Sequence, residues 1–125
     1  MNQPARLLVV EDQDDTRTLL VETLQEKGYE VFESSSGADV ARLAAQQSFD
    51  LIITDILLPD KDGLEVILEI RKRDPKMRFL AISGGGQTLS AQDCLYSAQA
   101  FGAQMVLRKP FQNQTFLNAV ETILS

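Results

Sequence analysis

Short runs that are apolar almost throughout dominate this sequence: Leu7–Val10, Leu51–Ile53, Phe79–Ile82 and Met105–Leu107. Strands buried on both faces read this way, whereas a strand with one wet face alternates. Tyr29–Glu33 does alternate, which suits a strand nearer a sheet edge. Between the runs lie segments of 3.6-residue periodicity. Leu20/Leu24, Val40/Leu43/Ala44, Leu64/Ile67/Leu68 and Phe116/Val120/Ile123 each align on one helical face, and Leu89–Phe101 forms a weaker helix with Leu95 and Ala98 inward. The resulting order is a strand followed by a helix, five times over. Right-handed crossovers turn that order into a parallel α/β sheet covered by helices on both sides.

Punctuation agrees with this reading. Gly28 closes the first helix and Gly102 the fourth. Ser35 or Ser36 can cap the second and Asp62 the third. A chain of 125 residues with 44% hydrophobic side chains fits one domain over residues 1–125, with a core of its own. No linker, repeat or low-complexity tail interrupts it.

Composition removes several function classes. Without a single His, the chain can build no imidazole base, no His–Zn site and no phosphohistidine. Cys94 is alone, so neither an internal disulfide nor a cysteine metal cluster can form. Twelve basic against eighteen acidic residues, a net charge of −6, argue against a direct grip on nucleic acid, which needs a basic stripe. Met1–Arg6 does not resemble a signal peptide, and no apolar run approaches a membrane span. The expectation is a soluble cytoplasmic domain with no membrane contact.

Open α/β sheets bind ligands beyond the carboxyl ends of their strands. Those ends carry Glu11-Asp12 after the first strand, Asp55 after the third, Ser83 after the fourth and Lys109 after the fifth. Three carboxylates, a hydroxyl and an amine should therefore meet on one rim. Clustered carboxylates either share protons or hold a cation. Oxygen-only donors favour Mg²⁺ or Mn²⁺ over zinc. Asp14 and Asp15 belong instead to the helix that follows, whose first turn favours negative charge.

In sequence, Val-Val-Glu11-Asp12, then Asp55-Ile-Leu-Leu-Pro59-Asp-Lys-Asp-Gly63, then Ser83, then Lys109-Pro110-Phe111 resemble the receiver domain of bacterial two-component response regulators. The resemblance spans essentially the whole chain. It implies a (βα)₅ doubly wound, flavodoxin-like fold of five parallel strands. It implies a phosphoacceptor at Asp55, direct Mg²⁺ (or Mn²⁺) ligands in Asp12, Asp55 and the Leu57 carbonyl, and a contact through water from Glu11. Ser83 and the backbone N–H groups of Leu57 and Gly84 would meet the phosphoryl group. Lys109 would pair with Asp55 and later with a phosphoryl oxygen, and the bond before Pro110 would be cis.

The implied activity is acceptance of a phosphoryl group from phosphohistidine on a sensor histidine kinase or a phosphotransfer protein. The chain would be no enzyme beyond its own Mg-dependent phosphorylation and dephosphorylation. Output would be altered protein contacts through the face of the fourth helix, fifth strand and fifth helix. The alternative from another class is a degenerate receiver that binds proteins without phosphorylation; the complete set Glu11, Asp12, Asp55, Ser83 and Lys109 argues against it. No Gly-x-Gly-x-x-Gly follows a strand, which excludes a dinucleotide fold. An aspartyl phosphatase would carry a second Asp where Leu57 stands.

Departures from the family are specific. Val106 occupies the place of a common switch aromatic, with Phe101 and Tyr96 as substitutes if not core residues. Gly84-Gly85-Gly86 extends the loop after the fourth strand. From Phe79 to Leu107 only Asp93 is charged, which suits a protein-contact face. Arg71-Lys72-Arg73, Lys76 and Arg78 are expected to be solvated cations on the rim opposite the acids, favoured at a helix C-terminus.

Overall fold

A computed structural model describes residues 3–58, 60–84 and 102–125 of the chain. Within them run β1 (Arg6–Val10), α1 (Asp14–Glu26), β2 (Glu30–Ser34), a 3₁₀ turn (Gly37–Asp39), α2 (Val40–Gln46), β3 (Leu51–Asp55), α3 (Gly63–Arg73), β4 (Phe79–Ser83), β5 (Met105–Arg108) and α4 (Asn113–Leu124). The helix expected over 89–101 lies outside the described residues, as do Tyr96, Phe101, Cys94, Gly85 and Gly86.

All five strands join one parallel sheet in the order β2-β1-β3-β4-β5. Every residue of β3 and of β4 is buried, as their continuous apolar runs lead one to expect. Met105–Leu107 departs from that reading: β5 lies at the sheet edge and its apolar residues are only half-buried, because it has a neighbouring strand on one side alone. The alternating strand, β2, lies at the edge. Side chains on successive residues point to opposite faces, and the core divides accordingly. Leu7, Val9, Leu51, Ile53, Leu80 and Ile82 pack with Leu20 and Leu24 of α1 and Phe116, Val120 and Ile123 of α4. Leu8, Val10, Ile52, Phe79 and Ala81 pack with Val40 of α2 and Val66, Ile67 and Ile70 of α3. Among the described residues, helices cover both faces, α1 and α4 on one and α2 and α3 on the other, which is the doubly wound architecture.

Local chemistry sets the boundaries. Gly28 takes φ 91° just past α1 and Gly102 takes φ 115°, conformations that side chains with a Cβ rarely adopt. The Asp62 carboxylate accepts from the Leu64 N–H and starts α3. Ser36 caps the 3₁₀ turn rather than α2 itself, by accepting from the Ala38 N–H; α2 then continues from the turn. Asp14 and Asp15 sit in the first turn of α1.

Two members of the basic cluster differ from the solvated arrangement expected of them. Arg71 donates to the carbonyl oxygens of Pro75 (2.8 Å) and Gly102 (2.5 Å), and its guanidinium stacks over Phe79. Arg78 donates to the Ile123 carbonyl at 2.8 Å, in the last turn of α4. Both satisfy backbone acceptors that strand and helix ends leave open. Lys72, Arg73 and Lys76 remain exposed.

Candidate functional site

The strand order decides what meets what. With β1 between β2 and β3, the chain runs from β1 outward in one direction and from β3 in the other, leaving a crevice above their carboxyl ends. Asp55 is the last residue of β3 and Ser83 the last of β4, each one position deeper in the sheet than a loop residue would be. Glu11 follows β1 directly, and its N–H donates to the Ser34 carbonyl at 3.0 Å. Lys109 follows β5, and its N–H donates to the Ser83 carbonyl at 2.8 Å.

Three of these polar residues are buried: Glu11 is 1% exposed, Asp55 6% and Ser83 0%. Burying charge is costly unless it is paired. The pairing comes from Lys109, whose Nζ lies 2.7 Å from Glu11 Oε1 and 2.9 Å from Asp55 Oδ2. The other Asp55 oxygen, Oδ1, accepts from the Leu57 N–H at 3.0 Å. The Leu57 N–H expected to meet a phosphoryl group is thus engaged by the acceptor carboxylate itself. Gly84 is exposed beside the lysine stem, where an added Cβ would stand 3.7 Å from Lys109 Cδ. The Lys109–Pro110 peptide bond is cis.

One cation serves two carboxylates, and a third stands close. Glu11, Asp12 and Asp55 each offer an oxygen, all within 4.8 Å of one another. Burial and the neighbouring Glu11 carboxylate push Asp12 above the ordinary carboxylate range, while Lys109 pulls the other way. Burial depresses the Lys109 ammonium, but its hydrogen bonds to Glu11 and Asp55 outweigh that and leave it above the usual lysine value. These residues could hold a metal ion. An all-oxygen donor set with surplus negative charge fits a hard divalent cation.

Sequence reasoning missed three contributors. It paired Lys109 with Asp55 alone, whereas Glu11 is the nearer partner across a separation of 98 residues. It gave Gly63 no part, yet a Cβ there would lie 2.2 Å from the Asp55 carbonyl oxygen, so α3 starts against the backbone of the buried acid. An Asp-Gly pair shortly after an apolar strand was the available signal. It also left out Arg17, which donates to the Glu11 carbonyl at 2.9 Å. Val106 is half-buried and packs against the core between the sheet and α2/α3.

Comparison with known proteins gives one answer. Residues 7–121 match the family model described as response regulator receiver domain. The chain is 31% identical over 119 residues to the response regulator receiver protein CpdR of Brucella abortus, covering 95% of this chain and 96% of that one. It is 33% identical over 121 residues to the DNA-binding transcriptional regulator NtrC of Azospirillum brasilense, of which it covers only 24%. The chemotaxis response regulator CheY4 of Vibrio cholerae superposes with a TM-score of 0.85 at 28% identity, covering 97% of this chain and 99% of that one. By fold, by the acids and lysine at the strand ends and by this match over nearly its full length, the chain belongs to the response regulator receiver domain family.

Proposed function

We propose that the chain accepts a phosphoryl group on Asp55 from a phosphohistidine and changes its protein contacts in response. The observation that carries this reading is the joint placement of Asp55, Glu11 and Lys109, with Asp12 beside them, at the carboxyl ends of β3, β1 and β5 on one rim of the sheet. In the transfer, the phosphorus–nitrogen bond of the donor imidazole breaks and a phosphorus–oxygen bond to the Asp55 carboxylate forms. A carboxylate is a weak nucleophile, so catalysis rests on positioning and on neutralising the phosphoryl oxygens.

Each residue has a part. The Leu57 N–H and Lys109 fix the Asp55 carboxylate before reaction. Lys109 then turns to a phosphoryl oxygen, and Ser83 and the Gly84 N–H donate to others. Asp12, Asp55 and the Leu57 carbonyl would hold Mg²⁺ directly, and Glu11 through water; the cation supplies positive charge to the phosphoryl oxygens. Phosphorylation converts one carboxylate into a group of greater negative charge, which draws Ser83 and Lys109 inward and so reaches β4 and β5.

The donor is a sensor histidine kinase or a phosphotransfer protein, in the cytoplasm. Among the described residues, Leu19 is 51% exposed. It lines a groove of about 220 Å³ with Thr16, Leu20, Pro110 and Phe111, next to Lys109. An apolar groove flanking the acceptor suits a helix that presents the phosphohistidine. Among the described elements, the output face is that of β5 and α4. No described helix is long and apolar enough to cross a membrane.

Incubation with acetyl phosphate and Mg²⁺, read by intact mass, tests the reading. The wild type gains one phosphoryl group, and the gain disappears in Asp55→Asn and in EDTA. No adduct from acetyl phosphate or from a phosphorylated phosphotransfer protein would support a phosphorylation-independent binding module instead.

A further inference from the structure

Edge strand β2 supplies none of the reacting groups, yet its carboxyl end is tied to both loops that carry them. On one side stands Arg17 of α1, whose side chain is only 16% exposed. Its Nη1 donates to the Glu11 carbonyl (2.9 Å), its Nε to Glu33 Oε1 of β2 (3.0 Å) and its Nη2 to Asp14 Oδ1 (2.7 Å). The guanidinium fork therefore joins the loop after β1 to the end of β2, beside the Glu11 N–H bond to Ser34. On the other side stands Asp60, in the loop after β3. Its carboxylate accepts from the Ser36 hydroxyl and from the N–H groups of Gly37 (3.3 Å) and Ala38 (3.1 Å) in the turn after β2. Gly37 is closely covered there, with Leu58 Cδ1 and the Lys61 carbonyl 3.1 and 3.2 Å from where its Cβ would be.

These two loops form the two walls of the acidic pocket: Glu11 and Asp12 on one, Leu57 on the other. A small divalent cation demands near-ideal ligand geometry, so its affinity depends on how well the walls are held apart and in register. Carboxylates this close repel one another, which tends to spread those walls. We propose that the carboxyl end of β2 is a brace that sets the cation affinity of the pocket, with Arg17 and Asp60 as positioning residues. The inference rests on the reading of the pocket as a Mg²⁺ site.

The sign of one substitution separates bracing from a field effect. Arg17→Met removes a positive charge that is bonded to the Glu11 carbonyl beside the pocket, and Coulomb's law alone then predicts tighter cation binding. Bracing predicts weaker binding. Ser36→Ala tests the other wall without changing charge.

Mg²⁺ affinity is measured by isothermal titration calorimetry on the whole chain, with a circular dichroism melt to establish that each variant is folded. Outer-shell partners commonly govern metal affinity by 10–100-fold, so Arg17→Met and Ser36→Ala are expected to bind Mg²⁺ about tenfold more weakly. Arg17→Lys, which keeps the charge but loses the fork, should fall between, and it decides the matter if Arg17→Met does not fold. Arg42→Met, which removes a surface ion pair between α2 and Asp39 of the preceding turn, should stay within about twofold of wild type. Unchanged or tighter binding in the Arg17 variants overturns the brace and leaves the metal site standing. A wild type that binds no Mg²⁺ overturns both.

Discussion

Asp55→Asn should make the metal-free protein more stable, although it removes a side chain with two hydrogen-bonded oxygens. Carboxylate oxygens 4.8 Å apart, the widest spacing among Glu11, Asp12 and Asp55, repel by about 3.5 kcal/mol at an effective dielectric near 20. Asp55 faces two such neighbours, a repulsion of about 7 kcal/mol. Its attraction to Lys109 at 2.9 Å is about 6 kcal/mol on the same scale, and that lysine is shared with Glu11 at 2.7 Å. The balance is slightly unfavourable before the cost of burying a side chain that is 8% exposed. Asparagine relieves the charge but its one oxygen can accept from only one of Leu57 and Lys109, a loss of about 1 kcal/mol. The net expectation is a gain of about 1–2 kcal/mol, or about 3–6 °C in Tm. Urea unfolding followed by circular dichroism measures it, since the chain has no Trp. Mg²⁺ should then close the gap: at a hundredfold excess over Kd the wild type gains about 2.7 kcal/mol and the variant, one ligand short, gains less. A variant less stable than wild type in EDTA, or a gap indifferent to Mg²⁺, would refute the charge argument.

Other outcomes follow from single contacts. Gly63→Ala drives a Cβ to 2.2 Å from the Asp55 carbonyl oxygen, so α3 must shift. The expected loss is about 3 kcal/mol in urea unfolding, together with weakened Mg²⁺ binding, and an unchanged midpoint would contradict the packing. Asp60 lies below its ordinary value of 3.8 because of the Ser36 hydroxyl bond first and the Ala38 N–H second. A depressed carboxylate stabilises the fold above its unfolded pKa and loses that contribution as pH falls through the folded value. Carbon-detected NMR should therefore show Asp60 titrating below pH 3.8, with the Gly37 and Ala38 amides moving at the same midpoint; a midpoint at or above 3.8 would contradict the bonding of Asp60 to the turn after β2.

What the sequence disclosed was what depends on near neighbours and on burial. Leu7–Val10 and Phe79–Ile82 declared central strands because both faces of those strands meet helices. Asp55 stood out because a carboxylate at the end of an apolar strand needs partners. Ser36, Asp62 and Gly28 announced their caps and turn through chemistry within two residues. The unreadable part was long-range. That Lys109 reaches Glu11 as well as Asp55 depends on strand order, since β5 lies two strands from β1's neighbour β3. Arg17 looked like any polar residue on a helix, and its three acceptors come from three separate elements. Arg71 and Arg78 passed for solvated cations because nothing local reveals the carbonyl groups of Gly102 and Ile123 that they meet.

In the proposed function the buried carboxylate of Asp55, rather than any other acid of the pocket, takes the phosphoryl group. An acyl phosphate is reduced by borohydride to the corresponding alcohol, whereas a free carboxylate is not. The chain is treated with acetyl phosphate and Mg²⁺, reduced with sodium borohydride, digested and sequenced by tandem mass spectrometry. The expected product has homoserine at position 55 and intact Glu11 and Asp12. Reduction at Asp12 or Glu11, or none at position 55 in a chain that has gained phosphate, would contradict it.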